Sequence, residues 1–186
     1  MATRIRVQTA TGYQHVTALG NNGQDTFLDD EDRLFYLDLL EAAIQEFIFD
    51  VAAYCLMRNH VHILARFNGL NMDKVMHKLH SRYAKYFNKR YGKTGHLFQR
   101  RYNNEVVTTV EYLHEAGRYV HMNPVVENIV PQPEDYRWSS FREYWDEKFR
   151  IVTPDSPLLT AFKPTGVFER QAFHDFTTAR RRAAAE

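Results

Sequence analysis

The apolar positions of this chain change their period several times, and each change marks an element. Residues 1–11 carry no periodicity and lead into a strand over Tyr13–Leu19, which Gly20-Asn21-Asn22-Gly23 ends with a run of turn-forming residues. Asp29-Asp30-Glu31-Asp32 suits a helix N-terminus, where the backbone dipole favours negative charge. Leu34, Leu37, Leu40, Ile44 and Phe47 then recur at steps of three and four and predict a helix with a buried stripe. Ile48–Met57 is apolar and β-branched enough for a strand, Arg58-Asn59 turns the chain, and His60–Phe67 returns as its partner. Asn68-Gly69 closes that hairpin.

Residues 71–91 predict a second helix with two unlike faces. Met72, Val75 or Met76, Leu79, Tyr83 and Phe87 form the apolar one, and Lys74, Lys78, Arg82, Lys85 and Lys89 line the other. Leu97–Tyr102 and Glu105–Val107 suggest a further strand. Thr108-Thr109-Val110-Glu111 has the pattern of a capping box opening a third helix, which is expected to stop near Asn123 because Pro124 disfavours its continuation. Pro131, Pro133 and Pro154, with Trp138-Ser139-Ser140 between them, predict a surface-running segment with aromatic anchors. Val167–Glu186 is expected to form a closing helix ending in Arg180-Arg181-Arg182. This order predicts an α+β sandwich of ferredoxin-like or RRM-like type, an antiparallel sheet with helices on one face. One domain is expected over 1–150, with 151–186 as an extension of it or a tail.

Composition narrows the class. At 186 residues with 44% hydrophobic and 14% aromatic side chains, the chain is long enough for a single buried core. No run approaches the roughly 18 apolar residues of a membrane span, and no secretory leader pattern opens the chain, so a cytoplasmic, nucleoid-associated protein is expected. A single cysteine, Cys55, excludes an internal disulfide and any multi-cysteine zinc site. The net charge of +1 hides a strong segregation: Lys74–Asn104 holds nine Lys or Arg and no Asp or Glu, leaving the rest with 15 basic against 23 acidic residues. Five cations along one helix face repel one another, a cost that a bound polyanion offsets. Nucleic acid is the expected partner.

Candidate chemistry centres on Met57-Arg58-Asn59-His60-Val61-His62. On a strand His60 and His62 share a face about 6–7 Å apart while Val61 points away, so the two imidazoles can converge on one metal ion. By itself such a pair is more often two ordinary sheet histidines. A third ligand has to come from another element, and the third helix offers Asn123, Glu115 and His121; its tyrosines, Tyr112 and Tyr119, are candidate nucleophiles if a cation polarises a phosphoryl oxygen. His114 and His121 read as helix-surface residues. Tyr119 and Asn123, four apart, share a helix face. Lys93 lies in a Gly-Lys-Thr-Gly loop that lacks the spacing of a nucleotide-binding loop.

Several further stretches carry a resemblance: Gly20-Asn21-Asn22, Phe27-Leu28-Asp29-Asp30-Glu31-Asp32, Tyr83-Ala84-Lys85-Tyr86-Phe87-Asn88, Gly95-His96-Leu97-Phe98-Gln99-Arg100-Arg101-Tyr102, Arg118-Tyr119-Val120-His121-Met122-Asn123-Pro124-Val125 and Trp138-Ser139-Ser140. Together with the His60-Val61-His62 stretch, and over about residues 12–145, the chain resembles the single-tyrosine HUH transposases, within them the REP-associated tyrosine transposases. The resemblance implies His60 and His62 as metal ligands with Asn123 as the third. It implies Tyr119 as the nucleophile and Mg2+ or Mn2+ as the cofactor. The implied substrate is single-stranded DNA bearing hairpins, cleaved to a 5′-phosphotyrosine and a free 3′-hydroxyl and rejoined by the reverse step, by a monomer or homodimer. Asn21, Lys74, Lys78, Arg82, Lys85, Lys89, Arg100 and Arg101 are the expected DNA contacts. Leu19 and Gly23 stand where relatives commonly carry basic residues, which points to a weaker or different DNA grip. The competing expectations are a catalytically silent hairpin-binding regulator of repeat elements and a water-using phosphodiesterase.

Overall fold

The structure is a computed structural model and describes residues 12–69 and 72–179. The expectations for residues 1–11 and for Arg180-Arg181-Arg182 lie outside the described residues. Four strands, β1 (Tyr13–Leu19), β2 (Asp50–Leu56), β3 (His60–Arg66) and β4 (Asn103–Val106), form one sheet in the order β2-β3-β1-β4, each neighbouring pair antiparallel. Helix α1 (Asp30–Phe47) connects β1 to β2 and α2 (Met72–Tyr91) connects β3 to β4. This is the βαββαβ order of the ferredoxin-like sandwich, with the two crossover helices packed on each other. Beyond it, α3 (Val110–Val126) lies against β2 and β3, and the short helices α4 (Phe141–Asp146), α5 (Pro157–Thr160) and α6 (Arg170–Thr178) follow. No helix among the described residues is long and apolar enough to cross a membrane.

The α1–α2 interface is an aromatic cluster, and it sets the phase of α1. Tyr36 packs edge-on to Phe27 and Tyr83 and its hydroxyl meets His80 Nε2 at 3.1 Å, all in the core. That turns Tyr36, Leu37, Leu39, Leu40 and Ala43 inward, and Leu34, expected in the stripe, ends 43% exposed. The cap of α1 is as its acidic start implies: the Asp29 side chain accepts from Asp32 N at 3.0 Å. At the other end Ile48, expected to begin a strand, instead caps α1 in the left-handed region, and β2 starts two residues later. On α2 all six apolar candidates, Met72, Val75, Met76, Leu79, Tyr83 and Phe87, are buried.

Two further expectations change. Leu97–Tyr102 does not join the strand; Phe98 makes only an isolated bridge to Gly20, and β4 is confined to four residues. Trp138-Ser139-Ser140 is buried rather than surface-running, because it completes the hydrogen bonding of the outer edge of β2. Leu56 N donates to Trp138 O, Ser140 N donates to Tyr54 O, and Thr153 N donates to Val51 O, at 2.8–3.0 Å. An edge strand left open is a template for unwanted pairing, and this segment closes it. Over its described length the 151–186 extension packs on α3. Leu158, Leu159 and Phe173 are core residues, and α5 and α6 both contact α3. Gly117 of α3 permits this approach, since a Cβ there would meet Leu158 at 2.7 Å.

Candidate active site

Strand register builds the floor of the site. Pairing of β1 with β3 sets Thr17 opposite His62 and Leu19 opposite His60, and pairing of β1 with β4 sets His15 opposite Glu105. Alternation along the strands therefore gathers His15, Thr17, His60 and His62 on one sheet face. Val61, on the other face, is buried in the core and anchors the two histidines between. The turn before His60 is braced from outside: Gly20 N donates to Asn59 O at 2.8 Å, and Asn21 N donates to Leu97 O at 2.8 Å. Gly20 has no room for a side chain, as a Cβ would fall 2.0 Å from Gln24 O.

Helix α3 supplies the roof, and it does so by running further than expected. Its N-cap is Thr109, whose hydroxyl accepts from Tyr112 N at 3.1 Å, one residue later than the capping-box register. It continues through Pro124 to Val126. Proline this close to the end removes one donor, and the chain then leaves through left-handed Asn128, with Ile129 N donating to Pro124 O at 2.8 Å. Because the helix persists, Tyr119, Asn123 and Glu127 come at successive steps of four along one face. Sequence reasoning reached the first two and missed Glu127, which it placed beyond the helix.

The contacts are close. The Tyr119 ring lies edge-on to His62, with centroids 5.5 Å apart, and to His15 at 5.8 Å, while the residue as a whole is 55% exposed. Asn123 is buried on the same side of the site, and its side chain favours the charged form of His60. His60 Nε2 faces Glu127 Oε1 at 3.9 Å, and His60 Nδ1 lies 2.7 Å from Asn59 Oδ1. His62 Nδ1 meets His15 Nε2 at 2.9 Å and Thr17 Oγ1 at 3.4 Å. Beside them an open cleft of about 710 Å³ runs past Asn103, Asn104, Glu105, Tyr112, Glu115 and Arg118. His15 was missed in the sequence, although Val16 between it and Thr17 already places both on one strand face.

Burial disfavours the charged form of all three imidazoles. Burial pushes His15 and His60 below the usual histidine range, opposed at His60 by the Glu127 charge and the Asn123 side chain. Burial pushes His62 well below it, helped by the neighbouring imidazoles of His15 and His60. One polar atom of the site is left over: His62 Nε2 is buried and has no hydrogen-bond partner among the described residues. An imidazole nitrogen left without a partner can accept a metal ion, so the histidine pair is compatible with a divalent cation. Among the described residues no three His, Cys, Asp or Glu side chains form a metal-binding group.

The other expected residues sit elsewhere. Lys74, Arg82, Lys85 and Lys89 are exposed on α2, and Arg100 and Arg101 are exposed before β4. None of them lines the cleft. Lys78 is committed to α1, its Nζ 2.6 Å from Glu46 Oε2 and over the Phe47 ring. Asn21 is half-buried in the turn after β1. His121, read as a surface histidine, is fully buried: its Nε2 meets Ser140 Oγ at 2.9 Å and burial lowers its pKa to about 3. His114 is part-buried, with Nε2 3.2 Å from Pro157 O.

Comparison with known proteins places this arrangement. A solved structure of a REP-associated tyrosine transposase bound to a REP hairpin superposes with a TM-score of 0.63 at 16% identity, covering 84% of this chain and 96% of that one, which shows a shared fold. No curated protein sequence matches the chain. Residues 9–123 match the family model of IS200-like transposases, a span from ahead of β1 to Asn123 that takes in the histidine pair and Tyr119, and the chain belongs to that family.

Proposed function

We propose that the protein is a single-stranded DNA strand transferase that cleaves and rejoins DNA at hairpin-bearing repeats through a 5′-phosphotyrosine on Tyr119. The observation that carries this reading is the half-exposed Tyr119 ring packed against buried His62, whose Nε2 has no hydrogen-bond partner among the described residues. A nucleophile in reach of solvent and a ligand atom shielded from it are what phosphoryl transfer asks of neighbouring residues. The hairpin is carried over from the solved relative, which is bound to a REP hairpin.

His60, His62 and Asn123 would hold the cation, Mg2+ or Mn2+, with Glu127 at its rim. When bound, that ion supplies positive charge that polarises the scissile phosphoryl group. Tyr119 Oη then forms a bond to phosphorus as the bond from phosphorus to the 3′-oxygen breaks. The phenol proton is released and the leaving 3′-oxygen takes one up. One phosphodiester replaces another, so the step reverses when a 3′-hydroxyl attacks the phosphotyrosine, and no nucleotide cofactor is consumed. The exposed cations Lys74, Arg82, Lys85, Lys89, Arg100 and Arg101, with Asn21, are assigned to the DNA backbone away from the reacting phosphate, and Lys78, paired with Glu46, contributes less.

A radiolabelled hairpin oligonucleotide incubated with Mn2+ tests this. The expected result is a labelled protein band that survives denaturation and is absent for Tyr119→Phe and in chelator. Reversible binding with no covalent band under any divalent ion would instead describe a hairpin-binding regulator. Cleavage without a band, unchanged in Tyr119→Phe, would describe a hydrolase.

A further inference from the structure

The cleft beside Tyr119 is lined with the wrong sign of charge for a DNA backbone. At about 710 Å³ it falls in the size range of small-ligand pockets. Among the described residues that line it, Glu105, Glu115 and Glu127 are carboxylates and Arg118 is the one Lys or Arg. The Arg118 guanidinium in turn meets the Ala179 carbonyl just past α6. An excess of negative charge in a cleft repels phosphate. A neutral group that donates hydrogen bonds suits it instead.

The α3 wall of the cleft is regular. Tyr112, Glu115, Tyr119, Met122 and Val126 recur at steps of three and four, so one helix face presents two aromatic rings, a carboxylate and two apolar side chains. Tyr112, Glu115 and Met122 are half-buried, and Glu105 faces the same cleft from β4 at the edge of the sheet. Burial and the neighbouring Glu105 carboxylate push the Tyr112 phenol up to about 12, which leaves an uncharged ring at neutral pH. His62 lines the cleft as well, with its buried Nε2 unpartnered among the described residues. Whatever fills the cleft therefore lies beside Tyr119 and the histidines.

We propose that this cleft is a base pocket for one unpaired nucleobase flanking the scissile phosphate, with Tyr112 as its stacking surface and Glu115 as the acceptor that selects an exocyclic amino group. The position of the phosphate rests on the strand-transfer reading above. Carboxylate oxygens only accept hydrogen bonds, so the base has to donate. Cytosine offers its N4 amino group, whereas thymine carries an oxygen at the same place, which a carboxylate repels. Cytosine is therefore preferred to thymine, a base of the same ring size. An aromatic face beside such an acceptor is the usual means of holding a base out of its stack. Tyr112 and Glu115 touch the base and not the reacting atoms.

The test titrates the full chain into fluorescein-labelled oligo-deoxycytidine and oligo-deoxythymidine of equal length, at neutral pH and without divalent ions, and reads anisotropy. The cytosine oligomer is expected to bind roughly tenfold more tightly, the scale of one good base contact. Glu115→Gln should erase that preference by weakening cytosine and strengthening thymine. Tyr112→Leu should weaken both oligomers roughly fivefold or more, and Tyr112→Phe neither. A 5-iodocytosine placed inside the cytosine oligomer should crosslink under ultraviolet light to Tyr112, located by mass spectrometry of the digested protein. Equal affinities for the two oligomers, or no binding of either, overturn the inference. So does equal tightening of both in Glu115→Gln, which is bulk repulsion relieved, and so does a crosslink confined to α2. None of these readouts needs cleavage. A confirmed pocket in a protein that forms no adduct on Tyr119 keeps this inference and removes strand transfer; an adduct without base preference does the reverse.

Discussion

In the proposed function Tyr119 has to be reachable by a phosphate while His62 beneath it stays buried, and a ring laid edge-on across the imidazole meets both demands. Removing only its hydroxyl should therefore leave the packing in place. Tyr119→Phe is expected to unfold within about 1 kcal/mol of the parent in denaturant titrations and to bind a hairpin oligonucleotide equally, while forming no covalent product. A matching loss of stability or binding would mean that Tyr119 is a structural residue. A second residue-scale effect lies away from the site. Burial lowers the His80 pKa to about 4 from 6.5, with Nε2 against Tyr36 Oη and Nδ1 near Arg101 O. The folded-state value is the lower one, so the unfolded chain takes up the proton first. Stability from this group is complete above about pH 6.5 and is lost as the pH falls toward 4, by roughly 2–3 kcal/mol at pH 4.5. His80→Gln should flatten that part of the acid limb; an unaltered slope would assign the loss to other groups.

Among the elements, α3 carries the site, and what holds it in place is a serine. Ser140 Oγ accepts from Tyr54 N at 2.8 Å on the edge of β2 and meets His121 Nε2 at 2.9 Å on α3. Ser140→Ala strands buried groups on both elements and is expected to cost about 1–3 kcal/mol in denaturant titrations; a cost near zero would show that the two elements are positioned by apolar packing alone. Much of this architecture was legible from local chemistry. Tyr13–Leu19, the acidic cap of α1 and the apolar face of α2 need only near neighbours, and His60 with His62, or Tyr119 with Asn123, need only the period of one element. What stayed hidden depends on distant partners. Trp138-Ser139-Ser140 is buried because β2 offers an edge to it. Leu34 faces outward because Tyr36 is claimed by Phe27 and Tyr83. His15 matters only once the register sets β1 beside β3. Pro124 misled for another reason: in a last turn it removes one donor, not the helix, and the extra turn is what brings Glu127 to His60.

Over the whole molecule the charges are sorted by use. Acidic residues of α1 and its N-cap take up some cations at once: Arg90 bonds Asp29, Glu31 and Asp32, and Lys78 bonds Glu46. Arg82, Lys85 and Lys89 are exposed on α2 away from the cleft, and the proposed function assigns them to a phosphate backbone. Arg82→Ala and Lys85→Ala should each weaken hairpin binding and reduce its salt slope by about 1, while Lys78→Ala, already paired, should change the slope less. Equal slopes for all three variants would contradict this division of labour.

The central claim is that Tyr119 takes the 5′ side of the broken phosphodiester. It is tested by cleaving a hairpin oligonucleotide labelled separately at each end, in Mn2+, then digesting the protein and reading the linked peptide by mass spectrometry. The account predicts that only the 3′-end-labelled fragment stays on the protein, joined through its 5′-phosphate to the peptide carrying Tyr119, while the 5′-end-labelled fragment leaves with a free 3′-hydroxyl. Retention of the other fragment, linkage to a different residue, or cleavage that leaves neither fragment attached would contradict it.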